Sequence, residues 1–115
     1  GAVITLNISL DETLSGDSLG PESALFIFAR APEGGPPLAV IRESVTAVPG
    51  IFSLSDQNAM IPGRSLADFE VLNIVARLSI TGQPIQQPGD LYGELQYERG
   101  QQPSPVELMI NQVAD

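Results

Sequence analysis

Alternation with a period of two runs through most of this chain, and no stretch keeps a 3.6-residue period over a helix's length. Ile4-Thr5-Leu6-Asn7-Ile8-Ser9-Leu10 alternates apolar and polar residues without error. Such a segment offers one face to a core and one to water, so it reads as a half-buried strand. A chain built of such segments has to bury its apolar faces sheet against sheet.

The rest of the chain repeats the theme. Asp11 to Glu22 is polar, carries Gly16, Gly20 and Pro21, and reads as a loop. Ala24 to Arg30 is apolar on both faces, as a central sandwich strand would be. Pro32-Glu33-Gly34-Gly35-Pro36-Pro37 reads as a turn cluster, and Leu38 to Val45 as a strand in a hairpin-like pair with the last. Ile51 to Leu54 is a short strand after the Val48-Pro49-Gly50 break. Ser55 to Phe69 is a long irregular connection, with one helical turn through Met60, capped by Ser55 or Asp56, and another over Ser65–Phe69.

Val71 to Thr81 is the longest strand, with Leu72, Ile74, Ala76, Leu78 and Ile80 on one face. Gly82 to Gly89 is a loop. Asp90 to Tyr97 alternates again, and Gly93 within it marks a bulge or a close backbone approach. After a turn region from Gly100 to Pro105, Val106, Leu108 and Ile110 form the inner face of the last strand. About seven strands spaced by turn signals, with no long helix, predict an all-β fold: an Ig-like antiparallel β-sandwich. Residues 1–115 are expected to form one domain. The chain opens Gly1-Ala2-Val3-Ile4 without an initiator Met. Gly1 therefore reads as a cloning or protease remnant, and the chain as a piece of a longer protein.

Composition narrows the chemistry. The chain has no cysteine, histidine, tryptophan or lysine. That removes thiolate nucleophiles, zinc ribbons and iron–sulfur clusters, the Ser-His-Asp triad, His-ligated metals, Schiff bases and the P-loop. The net charge is −9, and the five arginines are scattered at positions 30, 42, 64, 77 and 99. No basic face for nucleic acid or an anionic membrane follows from that pattern, so neither is expected as a partner. A basic partner would be attracted; the plainer reading of the charge is solubility.

Each candidate for chemistry has a structural reading beside it. The carboxylates Asp11-Glu12 and Asp68/Glu70 are close in sequence, but they lie in polar loops that would not raise a pKa, so they read as solvated. Asp56-Gln57-Asn58 begins like a calcium loop but lacks its later ligands, so an N-cap with an Asx-turn is the structural reading. Met60 and Met109 are soft ligands in principle, and packing residues otherwise. Arg30, Arg42, Arg64 and Arg77 could bind through their planar forks, or simply pair with acidic neighbours.

Five segments in order carry a family resemblance. They are Leu25-Phe26-Ile27-Phe28-Ala29-Arg30-Ala31, Pro36-Pro37-Leu38-Ala39-Val40-Ile41-Arg42, Leu54 to Gly63, Val75-Ala76-Arg77-Leu78-Ser79 with Gly82-Gln83-Pro84, and Gln87 to Gly93. Their order and spacing resemble the C-terminal periplasmic domain of cytochrome c-type biogenesis proteins of the CcmI/CycH type, over roughly residues 3–113. The resemblance implies an Ig-like sandwich in a protein tethered to the inner membrane, facing the periplasm behind a tetratricopeptide region. It implies a chaperone that binds apocytochrome c or other cytochrome c maturation components. Members commonly carry lysines near the strand that holds Arg77; here Leu78 to Pro84 carries none.

The combined expectation is a non-catalytic protein-binding module with no cofactor and no direct membrane contact. The expected binding surface is the long connection, through Asp56, Asn58, Met60, Ile61, Arg64 and Phe69. The alternative is an extracytoplasmic adhesion or carbohydrate-binding sandwich assisted by calcium. Aromatic residues at 5% count against a sugar platform.

Overall fold

The computed structural model describes residues 2–115. Eight strands form: β1 (Val3–Leu10), β2 (Ala24–Ala31), β3 (Gly34–Glu43), β4 (Gly50–Ser55), β5 (Val71–Ser79), β6 (Leu91–Glu98), β7 (Val106–Ile110) and the two-residue β8 (Gln112–Val113). Single 3-10 turns sit at Val45–Ala47, Asp56–Asn58 and Leu66–Asp68. The strands divide into a three-stranded sheet, β4-β1-β7, and a five-stranded sheet, β3-β2-β5-β6-β8. The two pack face to face as an Ig-like β-sandwich.

Alternation decides which side chains meet between the sheets. Ile4, Leu6 and Ile8 of β1, Leu54 of β4, and Val106, Leu108 and Ile110 of β7 point inward from the small sheet. Leu25, Ile27 and Ala29 of β2, Leu72, Ile74, Ala76 and Leu78 of β5, and Leu91 of β6 face them from the large one. A one-residue slip in β1 would place Thr5 and Asn7 in this apolar layer, so the register is tightly specified.

Several strand boundaries differ from the sequence reading by a few residues, β3 ending at Glu43 rather than Val45 among them, and two differences have a local cause. The turn cluster shrinks to Pro32-Glu33, and β3 already begins at Gly34, which takes φ 97° opposite Ala31. Pro36 and Pro37 are tolerated because β3 is an edge strand and its register against β2 breaks between the Ala29–Ala39 and Ala31–Gly34 pairs, so their missing N–H groups interrupt no paired stretch. The last expected strand residues of β5, Ile80 and Thr81, fall outside it, because the Ile80 amide donates to the Asp90 carboxylate at 3.1 Å.

One pairing departs from the antiparallel expectation. β1 runs antiparallel to β4 but parallel to β7. The strands are joined through most of the chain rather than by a tight turn, so a parallel neighbour needs no dedicated crossover. Beyond Ile110 the chain crosses to the large sheet, where Gln112–Val113 pairs with β6. The Ala114 amide donates to the Asp90 carbonyl, and the Gly89 amide to the Ala114 carbonyl, at 2.8 and 2.9 Å.

Gly93 permits that crossing. A Cβ there would sit 2.0 Å from the Met109 carbonyl oxygen, and the Asn111 amide bonds the neighbouring Tyr92 carbonyl at 3.1 Å. The close approach read from the sequence is therefore a seam between the sheets. Gly93→Ala should cost about 2–3 kcal/mol, since backbone rather than a mobile side chain must yield. A urea midpoint unchanged from wild type would refute this account of the seam.

Candidate functional site

Packing one face of the large sheet leaves its other face without a partner layer, and the residues there are not ordinary solvent residues. Register places Arg42, Phe26, Arg77 and Tyr92 in one row across β3, β2, β5 and β6. The next row is Val40, Phe28, Val75 and Glu94. Arg42 and Arg77 lie over the Phe26 ring at 5.6 and 5.1 Å, and Arg30 lies over Phe28 at 4.9 Å. Guanidinium planes stacked on rings cover apolar surface and keep a charge available at the edge.

Loops raise walls on this floor. The result is a groove of about 410 Å³ lined mainly by Phe26, Phe28, Val40, Met60 and Pro84, with Arg30 at its edge. Its size falls within the range of ligand-holding clefts. On the β3 side, Ala59 forms a bridge with Ala39 and the Met60 amide donates to the Leu38 carbonyl at 2.8 Å. That short continuation of the ladder sets Met60, 60% exposed, on the rim.

The opposite wall is the Ile80–Asp90 loop, wrapped around a buried ion pair. Arg77 Nη1 donates to Asp90 Oδ2 at 3.0 Å, and both side chains are almost wholly excluded from solvent. The Arg77 fork also donates to the Gln83 and Pro84 carbonyls. Asp90 accepts from the Ile80 and Gln87 amides at 3.1 and 2.9 Å. Ser79 Oγ donates to the Gln83 carbonyl at 3.1 Å. No buried side-chain polar atom among the described residues lacks a partner. Only with its hydrogen bonds completed in this way is a buried pair tolerated.

The six residues singled out in the long connection do not converge. Met60 alone reaches the groove. Asp56 turns back on the connection, accepting from Ser65 Oγ at 2.7 Å and the Leu66 amide at 3.0 Å. Asn58 accepts from the Ser55 amide at 3.0 Å, closing one capping box, and Asp68 closes a second on Ser65. Ile61 and Phe69 pack partly against the core, and Arg64 lies over the Phe69 ring at 5.1 Å. Arg99 holds the segment from outside, donating to the Leu66 and Phe69 carbonyls at 2.6 and 3.0 Å. The two helical turns are present as read, each one residue shorter at its ends or more.

Of the four arginines with two readings, Arg77 takes the paired one. Among the described residues, Arg30, Arg42 and Arg64 have no carboxylate within 4.0 Å, so acidic pairing is not what holds them. The groove's two phenylalanines were missed as a surface. The signal was present: β2 is apolar on both faces, and a two-layer sandwich covers one of them.

Two outcomes follow for the polar ties. Asp90→Ala leaves the Arg77 charge buried without its partner and should cost about 3–5 kcal/mol. Arg77→Met with Asp90→Leu should recover much of that loss in urea denaturation; a double variant no more stable than Asp90→Ala would contradict the assignment. The second concerns acid. The Ser65 hydroxyl, and then the Leu66 amide, hold the Asp56 carboxyl below its ordinary value of 3.8. A carboxyl lowered by folding stabilises fully above its unfolded pKa, and the contribution fades as pH falls through the folded value. Asp56→Asn should thus lower stability at neutral pH and flatten the loss below about pH 4. Parallel stability–pH curves for the variant and wild type would disprove this.

Comparison with known proteins agrees with this architecture. Residues 4–111 match the family described as cytochrome c-type biogenesis protein H Ig-like domain. The cytochrome c-type biogenesis protein CycH of Pseudomonas aeruginosa is 38% identical over 86 residues, which is 74% of this chain and 21% of that protein. The chain thus spans about a fifth of the length of that relative. No solved structure matches it. With the match running from the first core residue of β1 to beyond the end of β7, the chain belongs to the Ig-like domain family of cytochrome c-type biogenesis protein H.

Proposed function

We propose that this domain is a non-catalytic protein-binding module of a cytochrome c maturation factor. It engages apocytochrome c or another component of the assembly on the periplasmic side, as part of a protein anchored in the inner membrane. The groove over Phe26 and Phe28 carries this reading. It is apolar, open, bordered by the exposed Met60, and built on a rigid sheet rather than on a loop. Aromatic and methionine side chains in a preformed cleft are suited to gripping apolar side chains of a partner chain. The family gives the process in which such a partner would be met.

The charge of −9 supports the reading from a distance. It would speed encounter with a basic partner and leave the final contact to the groove. No helix among the described residues is long and apolar enough to cross a membrane.

The test is fluorescence anisotropy of labelled apocytochrome c titrated with the domain at low and moderate salt. Saturable binding is expected, and it weakens as salt rises. Phe28→Ser and Met60→Ser should each weaken it about ten-fold, the range of a central apolar anchor. Absence of binding by the folded domain would overturn direct capture of the client.

A further inference from the structure

Four features of the outer face point to the kind of segment the groove accepts. The chain carries 14 acidic residues against five arginines, yet Arg30 and Arg42 stand on this face with no carboxylate within 4.0 Å among the described residues. Each is stacked on a groove phenylalanine, Arg30 on Phe28 and Arg42 on Phe26. The third arginine of the face, Arg77, is neutralised by Asp90 and is not available. Glu94 and Glu98, the acids of β6 that share the face, lie two strands away from β2, on the far side of β5.

From these we infer that the groove binds an extended peptide segment in which two carboxylates flank a short apolar core. The inference rests on the groove being the protein-contact surface. Arg30 and the Phe26 position opposite Arg42 are four residues apart along β2, so the two cations are separated by about 14 Å at the backbone. Two Glu residues four apart in an extended segment are about 13 Å apart at the backbone, so each side chain can reach one of the two arginines. The apolar side chain midway between them shares their face and would lie over Phe28 and Val40. A guanidinium held against a ring keeps its fork edge free for a carboxylate and loses little freedom on pairing.

The remainder of the domain adds a filter. A uniformly acidic chain is repelled by the overall −9 before it can reach the arginines. A segment with isolated carboxylates in an otherwise neutral or basic partner satisfies both the distant field and the local pairs. The ligand chemistry is therefore set by the order of charges and not by their sum.

Two labelled heptapeptides of identical composition and net charge isolate that order. One reads Lys-Glu-Leu-Phe-Leu-Glu-Lys and the other Glu-Lys-Leu-Phe-Leu-Lys-Glu, both with blocked ends. The domain should bind the first about five-fold more tightly, as two partly exposed charge pairs would give. Amide chemical-shift changes should fall on Phe26, Phe28, Arg30 and Val40. Arg30→Gln with Arg42→Gln should abolish the preference while the domain stays folded, and Arg30→Gln alone should halve it if the double variant folds poorly. Equal affinity for the two peptides at the groove would overturn the charge inference and leave the groove standing. Absence of any shift at the groove with either peptide would overturn both.

Discussion

The outer face of the large sheet depends on one buried interaction, the Arg77–Asp90 pair. Strand β5 delivers a guanidinium to a face where strand residues usually meet water, and it is 2% exposed. Leaving that charge desolvated and alone would destabilise the fold by several kcal/mol. The Ile80–Asp90 loop resolves this by folding back over it, with Asp90 as counter-charge and the Gln83 and Pro84 carbonyls as further acceptors. The consequences spread outward. The loop's Pro84 becomes a groove wall, Asp90 takes the Ile80 amide and ends β5, and the Asp90 carbonyl receives the C-terminal crossing through Ala114. One groove wall, the end of β5 and the anchor of the C-terminal crossing thus meet at this pair.

Much of the sandwich was legible because alternation is a direct record of which residues face a core. Ile4, Leu6 and Ile8 are buried, and Met109, out of phase with Leu108 and Ile110, is 48% exposed. Gly93 was legible for the same reason, since a glycine amid alternating residues asks what approaches it. Strand direction was not: the pattern of β1 is the same whether its neighbour runs parallel or antiparallel, so the β1–β7 pairing left no trace. The edge position of β3 was equally silent, and without it Pro36 and Pro37 read as a turn.

The site was less legible because it arises from long-range pairing. Phe26, Phe28 and Arg77 are unremarkable one by one; only the β2–β5 register sets Phe26 opposite Arg77 and Phe28 opposite Val75. The long connection misled for a related reason. Its polar residues look free in sequence, whereas Asp56, Asn58 and Asp68 spend their oxygens on its own backbone and on Ser65. An irregular segment is open to partners only where its hydrogen bonds are not already closed internally, and here that condition leaves Met60.

The groove's walls are fixed by unlike devices, and this bears on how it would act. One wall is an extension of the β3 ladder, held by backbone hydrogen bonds that pH and salt barely alter. The other is held by a buried charge pair shielded from screening. The acid-sensitive carboxylate of Asp56 ties the connection to itself through Ser65 and Leu66, and the Asp56 carbonyl accepts from the amide of Ala59, the first wall's anchor, at 3.1 Å. A surface preformed in this way gives up little conformational entropy when a partner arrives, so modest contacts suffice for measurable affinity. It also separates two electrostatic roles within one small domain. On the proposed reading the acidic surface would act over distance and fade with ionic strength, while Arg30 and Arg42, held in place over the rings, would act in contact. A partner would then be selected twice, first by overall charge and then by the arrangement of charge along a few residues.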